Sequence, residues 1–118
     1  MRMLAVSLLV VSALLAGKAA APAAVPPTIT GTDGPGFTIT LKQHGRVVRS
    51  LPPGTYIFVI DDKSNIHNFH LRGPGLNKEI TAVGVVGTKT VVVTLKKGLY
   101  KFVCDPHFTV MKGSFRVT

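Results

Sequence analysis

Beyond about Gly36 the chain alternates apolar and polar positions in short runs broken by Gly, Pro and Asn, and no 3.6-residue period is sustained. Phe37 to Leu41 reads as a strand, followed by a turn at His44-Gly45 and a short edge over Arg46 to Leu51. Pro52-Pro53-Gly54 then turns the chain into Thr55 to Asp61, a mostly apolar run suited to a buried strand. Asn65 to Leu71 is the next strand, closed by Gly73-Pro74-Gly75, and residues 76 to 87 are Gly-interrupted with no clear period. Thr88 to Leu95 and Leu99 to Cys104 flank Lys96-Lys97-Gly98 and predict a hairpin, and the segment from Met111 or Gly113 to Thr118 closes the sheet. Seven to eight short strands at this spacing predict an all-β fold, an antiparallel Greek-key β-sandwich.

Parity along these strands sorts the side chains. Tyr100, Phe102 and Cys104 share one face, with Lys101 on the other. His67 falls with Phe69 and Leu71, while Asn68 and His70 point away. Counting back from Val117, Phe115, Gly113 and Met111 face the core, opposite Arg116 and Ser114. Cys104, His67 and Met111 thus stand at the ends of core-facing rows, with His107 in the loop between two of them.

The first 23 residues do not fit the strand pattern. Met1-Arg2, an apolar run from Met3 to Leu15 and an Ala-rich stretch describe a secretory signal peptide cut near Ala23. The run is shorter than the ~20 residues that span a bilayer, and no cysteine near the cut offers a lipid anchor. Residues 24 to 36 read as a linker with a short first strand at Thr28 to Thr30, and 37 to 118 as the folded domain.

Charge refines the picture. Fourteen Lys and Arg against five Asp and Glu give +9, or +7 once Arg2 and Lys18 leave with the leader. On an exported chain with dispersed positive residues this argues against nucleic acid. It suits either solubility with weak attraction to anionic walls or membrane surfaces, or steering toward an acidic redox partner; charge alone does not choose between them. No Ser-His-Asp arrangement, phosphate-cradling loop or carboxylate pair is evident, so catalysis by the chain alone is not expected. With one cysteine, no intrachain disulfide can form.

A lone cysteine in an exported protein calls for a reason, and its neighbours supply one. Cys104 is followed by His107 and Met111, and a second imidazole is available at His67 or His70. Thiolate, two imidazoles and a weak thioether are the donor set of an electron-transfer copper site. Zinc would accept the cysteine and histidines, but a thioether is a poor fourth ligand for it. Only four histidines exist, too few for the additional centres of a multicopper enzyme.

Tyr100-x-Phe102-x-Cys104-x-Pro106-His107 with Met111-x-Gly113, joined to His67-Asn68 upstream, resembles the copper loop of the cupredoxin family, plastocyanin, pseudoazurin and amicyanin among them. Phe108-Thr109-Val110 leaves three residues between His107 and Met111, one fewer than in plastocyanin and pseudoazurin and one more than in amicyanin. The resemblance implies one type 1 (blue) copper per chain, held by His67, Cys104, His107 and Met111. By the same resemblance Asn68 would tie the two ligand segments together by a hydrogen bond near residue 105. The electron would pass through the edge of His107, with Pro106 and Phe108, and Pro74 nearby, forming an apolar docking patch. The expected protein is a monomeric electron carrier cycling Cu(I)/Cu(II), not an enzyme, in the periplasm, cell envelope or extracellular space. A non-redox copper-storage module and a metal-free interaction domain are the alternatives.

Overall fold

The computed structural model describes residues 24–118 and four isolated positions before them, Val10, Ser12, Ala13 and Gly17. The leader expected over residues 1 to 23 otherwise lies outside the described residues. Ten strands follow: β1 (Thr28–Asp33), β2 (Ile39–Gln43), β3 (Arg46–Val47), β4 (Ser50–Leu51), β5 (Gly54–Asp62), β6 (Phe69–Gly73), β7 (Leu76–Thr81), β8 (Gly87–Leu95), β9 (Gly98–Val103) and β10 (Lys112–Val117). They form two five-stranded sheets in the orders β3-β2-β1-β5-β8 and β4-β10-β9-β6-β7.

The sandwich therefore has more strands than the seven to eight expected, and its sheets are mixed. β1 runs parallel to β5, and β4 parallel to β10, while the other pairings are antiparallel. Two strands come from one expected edge: the chain passes from sheet to sheet between Val47 and Ser50, dividing Arg46 to Leu51 into β3 and β4. β1 also exceeds its expected length, running to Asp33 with every residue registered against β5. Its Thr-rich sequence is β-prone, and Gly31 is required there, because a Cβ would lie 2.6 Å from Ile60 Cδ1.

The β8–β9 segment is not a hairpin. β8 pairs with β5 in the first sheet, whereas β9 pairs with β10 and β6 in the second. Lys96-Lys97 is instead a corner between sheets, where the Lys96 N–H donates to the Tyr100 hydroxyl at 2.9 Å. Apolar alternation and a Gly-bearing turn look alike at a hairpin and at such a corner. Residues 65 to 68 also differ from expectation, since β6 begins only at Phe69 and His67-Asn68 lies in the loop before it.

Alternation creates the core. Tyr56, Phe58 and Ile60 of β5 face Leu71 of β6 and Phe102 of β9 across the interior, all buried. The Phe69 and Phe102 rings stack with centroids 5.6 Å apart, and Tyr100 stacks on Phe115 at 5.3 Å. Burying each such ring contributes about 1.5–3 kcal/mol. β1, β5, β7 and β9 all finish at the same end of the sandwich, where β6 and β10 begin, and the candidate ligands gather there.

Candidate metal centre

Cys104 follows directly on β9 and is fully buried. A single 3₁₀ turn, Asp105–His107, reverses the chain, with Pro106 fixing φ near its start. Four backbone bonds hold this loop: the His107 N–H donates to Cys104 O at 3.1 Å, the Val110 and Met111 N–H groups to His107 O at 3.1 and 2.8 Å, and the Cys104 N–H to Met111 O at 3.0 Å. Met111, just before β10, is completely buried. The β9–β10 hairpin thus brings Cys104, His107 and Met111 together, and the loop before β6 adds His67.

The donor atoms converge. Cys104 Sγ lies 3.6 Å from His67 Nδ1 and 3.5 Å from His107 Nδ1, and the two nitrogens are 3.1 Å apart. Such a triangle is inscribed in a circle of radius roughly 2.0 Å, close to metal–imidazole bond lengths. The His67 Nε2–H donates to Gly36 O at 2.7 Å, so Nδ1 carries the free lone pair and faces the centre. Without a metal these atoms can share protons as hydrogen bonds, and once deprotonated they turn their lone pairs toward one point. The residues present fit a soft, thiolate-bound metal.

Electrostatics around the sulfur set a proton cost on metal binding. Burial pushes the Cys104 thiol above its ordinary value, opposed by the backbone N–H groups of Asn68 and His107 and reinforced by the carboxylates of Asp33 and Asp105. Metal binding must therefore expel a proton from a reluctant thiol, which ties affinity to pH.

Asn68 is buried and joins the two ligand segments. Its Oδ1 accepts from the Asp105 N–H at 2.7 Å, while its amide donates to Glu79 Oε2 at 2.9 Å and Asp105 Oδ2 at 2.8 Å. Asp105 points away from the centre, toward the His70 Nδ1 at 2.7 Å and the Arg72 guanidinium at 3.5 Å. Burial raises the Asp105 carboxyl, but Asn68, His70 and Arg72 together hold it below its usual range. His70 therefore does not take the place of His67 as the second imidazole; His70, Glu79 and Asp105 do converge, but the Asn68 amide and Arg72 already engage them.

Phe37 was expected in a strand and instead lies in the β1–β2 loop, 59% exposed, edge-on to both ligand imidazoles. Its ring centroid is 4.9 Å from that of His107 and 5.8 Å from that of His67. Pro106 and Phe108 are exposed beside His107. Pro74 is at the far end of the molecule, its carbonyl accepting from Tyr100 and its ring against Gly98 at the start of β9. Gly36 and Phe37 left no trace in the sequence pattern, since one acts through a backbone carbonyl and the other from a loop.

A two-sheet β-sandwich with a buried Cys-His-His cluster and a buried methionine at one end defines a mononuclear soft-metal protein. The family model of copper-binding proteins of the plastocyanin/azurin family matches residues 47–118, and the chain belongs to that family. Its cofactor is copper, in a single type 1 site formed by His67, Cys104, His107 and Met111. Among solved structures the fold is similar to the copper protein rusticyanin, at 16% identity and TM-score 0.57, with 77% of this chain and 76% of that chain covered. Rusticyanin from Thiobacillus ferrooxidans gives 21% identity and TM-score 0.55 over the same shares. Auracyanin A, a "blue" copper protein from Chloroflexus aurantiacus, gives 17% identity and TM-score 0.56, covering 80% of this chain and 100% of that chain. At these identities the likeness shows the fold alone. No curated protein matches the sequence.

Proposed function

We propose that the chain is an exported, monomeric one-electron carrier, its bound copper supplying the Cu(I)/Cu(II) couple. The observation that carries this reading is the convergence of Cys104 Sγ and the two histidine Nδ1 atoms in a buried, internally braced pocket. His67 is fixed by Gly36 O, and Asn68 clamps the Cys104–Asp105 backbone, so the donors are held in place before any charge changes. Little rearrangement then accompanies transfer.

His107 is the exit. It is half-buried, and exposed Phe37, Phe108 and Val110 surround it, with Ile66, Val83 and Val85 on neighbouring loops. An apolar face of this kind suits a small, transient interface, and the surplus of positive charge elsewhere would attract an acidic partner. Among the described residues no helix is long and apolar enough to cross a membrane.

Adding Cu(II) to metal-free protein should give intense blue absorption and a reversible one-electron couple, and Cys104→Ser should abolish both. Colourless binding would favour storage or zinc. The secreted protein should begin at residue 24, as read by amino-terminal sequencing.

A further inference from the structure

One pair of side chains has no role assigned at the site beyond the charge that Asp33 exerts on the Cys104 thiol. Asp33 ends β1 and Asp62 ends β5, and the two are direct partners in the parallel β1–β5 register. Both occupy inward-facing positions, 0% and 1% exposed. Asp33 Oδ1 and Asp62 Oδ2 are each buried without a hydrogen-bond partner. The other oxygens are engaged: Thr81 donates its hydroxyl to Asp33 Oδ2 at 3.3 Å, and the Ser64 N–H donates to Asp62 Oδ1 at 3.1 Å. Two buried carboxylates side by side cannot both remain ionised at low cost.

The pair adjoins the metal centre. Gly34, the next residue after Asp33, packs against His67, with its Cβ direction 3.6 Å from His67 Cδ2. Thr81 also accepts from the Phe69 N–H at 2.9 Å, two residues beyond His67. On the opposite side Asp62 and Thr81 line a cavity of about 120 Å³ beneath the Val85–Lys89 segment, a route for protons from solvent.

We propose that Asp33 and Asp62 form a one-proton site whose occupancy is linked to the charge on the neighbouring copper centre, so that reduction draws a proton into the protein. This rests on the electron-carrier reading. The redox partner supplies the electron. Solvent hydronium supplies the proton, which forms an O–H bond on one carboxylate and bridges to the orphan oxygen of the other. Loss of positive charge at the metal raises the proton affinity of the pair, and loss of the proton favours the oxidised metal.

The surrounding charges leave this role to the pair. On β5 and beyond, Asp61 pairs with Lys63 at 3.8 Å and accepts from Thr88, and Lys63 meets Asp33 only through its backbone N–H. β2 presents Ile39 opposite Asp33, and β8 presents Gly87 opposite Asp62, with exposed Lys89 at the cavity. Toward the metal, Glu79 of β7 and Asp105 are held by Asn68, leaving His67 and Cys104 as the ionisable groups on that side. Burial, and next the Asp62 charge, raise the Asp33 carboxyl to about 7 against the Thr81 hydrogen bond, within reach of physiological pH. A bound cation is the competing occupant, but only four carboxylate oxygens and one hydroxyl are present, and three of these already have partners.

The test follows the Asp33 and Asp62 carboxyl resonances by ¹³C NMR against pH, in metal-free and in Zn(II)-loaded protein. One carboxyl of the pair should titrate near neutrality in the metal-free protein, and Zn(II) should lower its proton affinity by about threefold or more. Both carboxyls titrating below pH 5, or a midpoint indifferent to Zn(II), would overturn the proposal; so would a shift produced by millimolar Ca²⁺. In copper-loaded protein the potential should fall between pH 6 and 8, and the slope should flatten in Asp33→Asn and in Asp62→Asn. A protein that never turns blue refutes the carrier reading, while the Zn(II) titration of the wild type still decides the fate of the pair.

Discussion

Asn68 shows how much a single side chain can hold. Its three hydrogen bonds join the loop before β6, the β9–β10 loop and Glu79 of β7. Asn68→Ala would leave the partly buried Asp105 N–H without its acceptor and is expected to cost about 1–3 kcal/mol, read as a lower midpoint in denaturant melts. His67, Cys104, His107 and Met111 were legible as residues because metal ligation demands rare side chains at short spacing. Asp33 and Asp62 were not, because nothing in a local window reveals that two strand ends far apart in sequence lie in register. The Asp33 carboxyl also has a thermodynamic signature. Its folded value, about 7, lies above the unfolded 3.8, so the folded state binds the extra proton between them. Stability from this group is full below about pH 4 and declines as pH rises through 7, by up to about 4 kcal/mol. Thermal melts of metal-free protein should therefore show a falling midpoint from pH 5 to 8, and Asp33→Asn should remove most of that slope.

At the scale of elements, glycine placement opposite aromatic rings sets the spacing of the second sheet. Gly113 of β10 registers with Phe102, and a Cβ there would overlap the Phe102 ring. Gly73 stands in the same relation to Tyr100. Gly113→Ala is expected to destabilise by about 1–3 kcal/mol and, two residues from Met111, to shift the blue band. Urea unfolding and the visible spectrum would check the two effects. Strand positions were largely readable, from Gly54–Asp62 to Lys112–Val117, because one buried face imposes a period of two. Pairing was not. The sequence of β8, Lys96-Lys97 and β9 carries a turn signal that does not say whether the chain returns to its own sheet or crosses to the other.

For the whole molecule, surface charge governs encounters. Residues 24–118 carry twelve Lys and Arg against five acidic groups, while the face around His107 is mostly apolar. Electron exchange with the anion hexacyanoferrate should be faster than with a cationic cobalt complex of similar driving force. Raising ionic strength from 10 to 500 mM should narrow that gap several-fold, measured by stopped flow. Fold class was visible in the chain as a whole, since short alternating runs without helical period admit few architectures.

The positions of β1 and β10 impose an order on biogenesis. Each is an interior member of its sheet, β1 between β2 and β5 and β10 between β4 and β9, and neither sheet can close without it. The cysteine loop hangs between β9 and β10, so three of the four donors remain unplaced until β10 has emerged and docked. Long-range closure of this kind is slow, because ordering entropy is lost before contacts repay it. Loading of the ion must therefore follow the docking of β10, wherever in the cell that takes place.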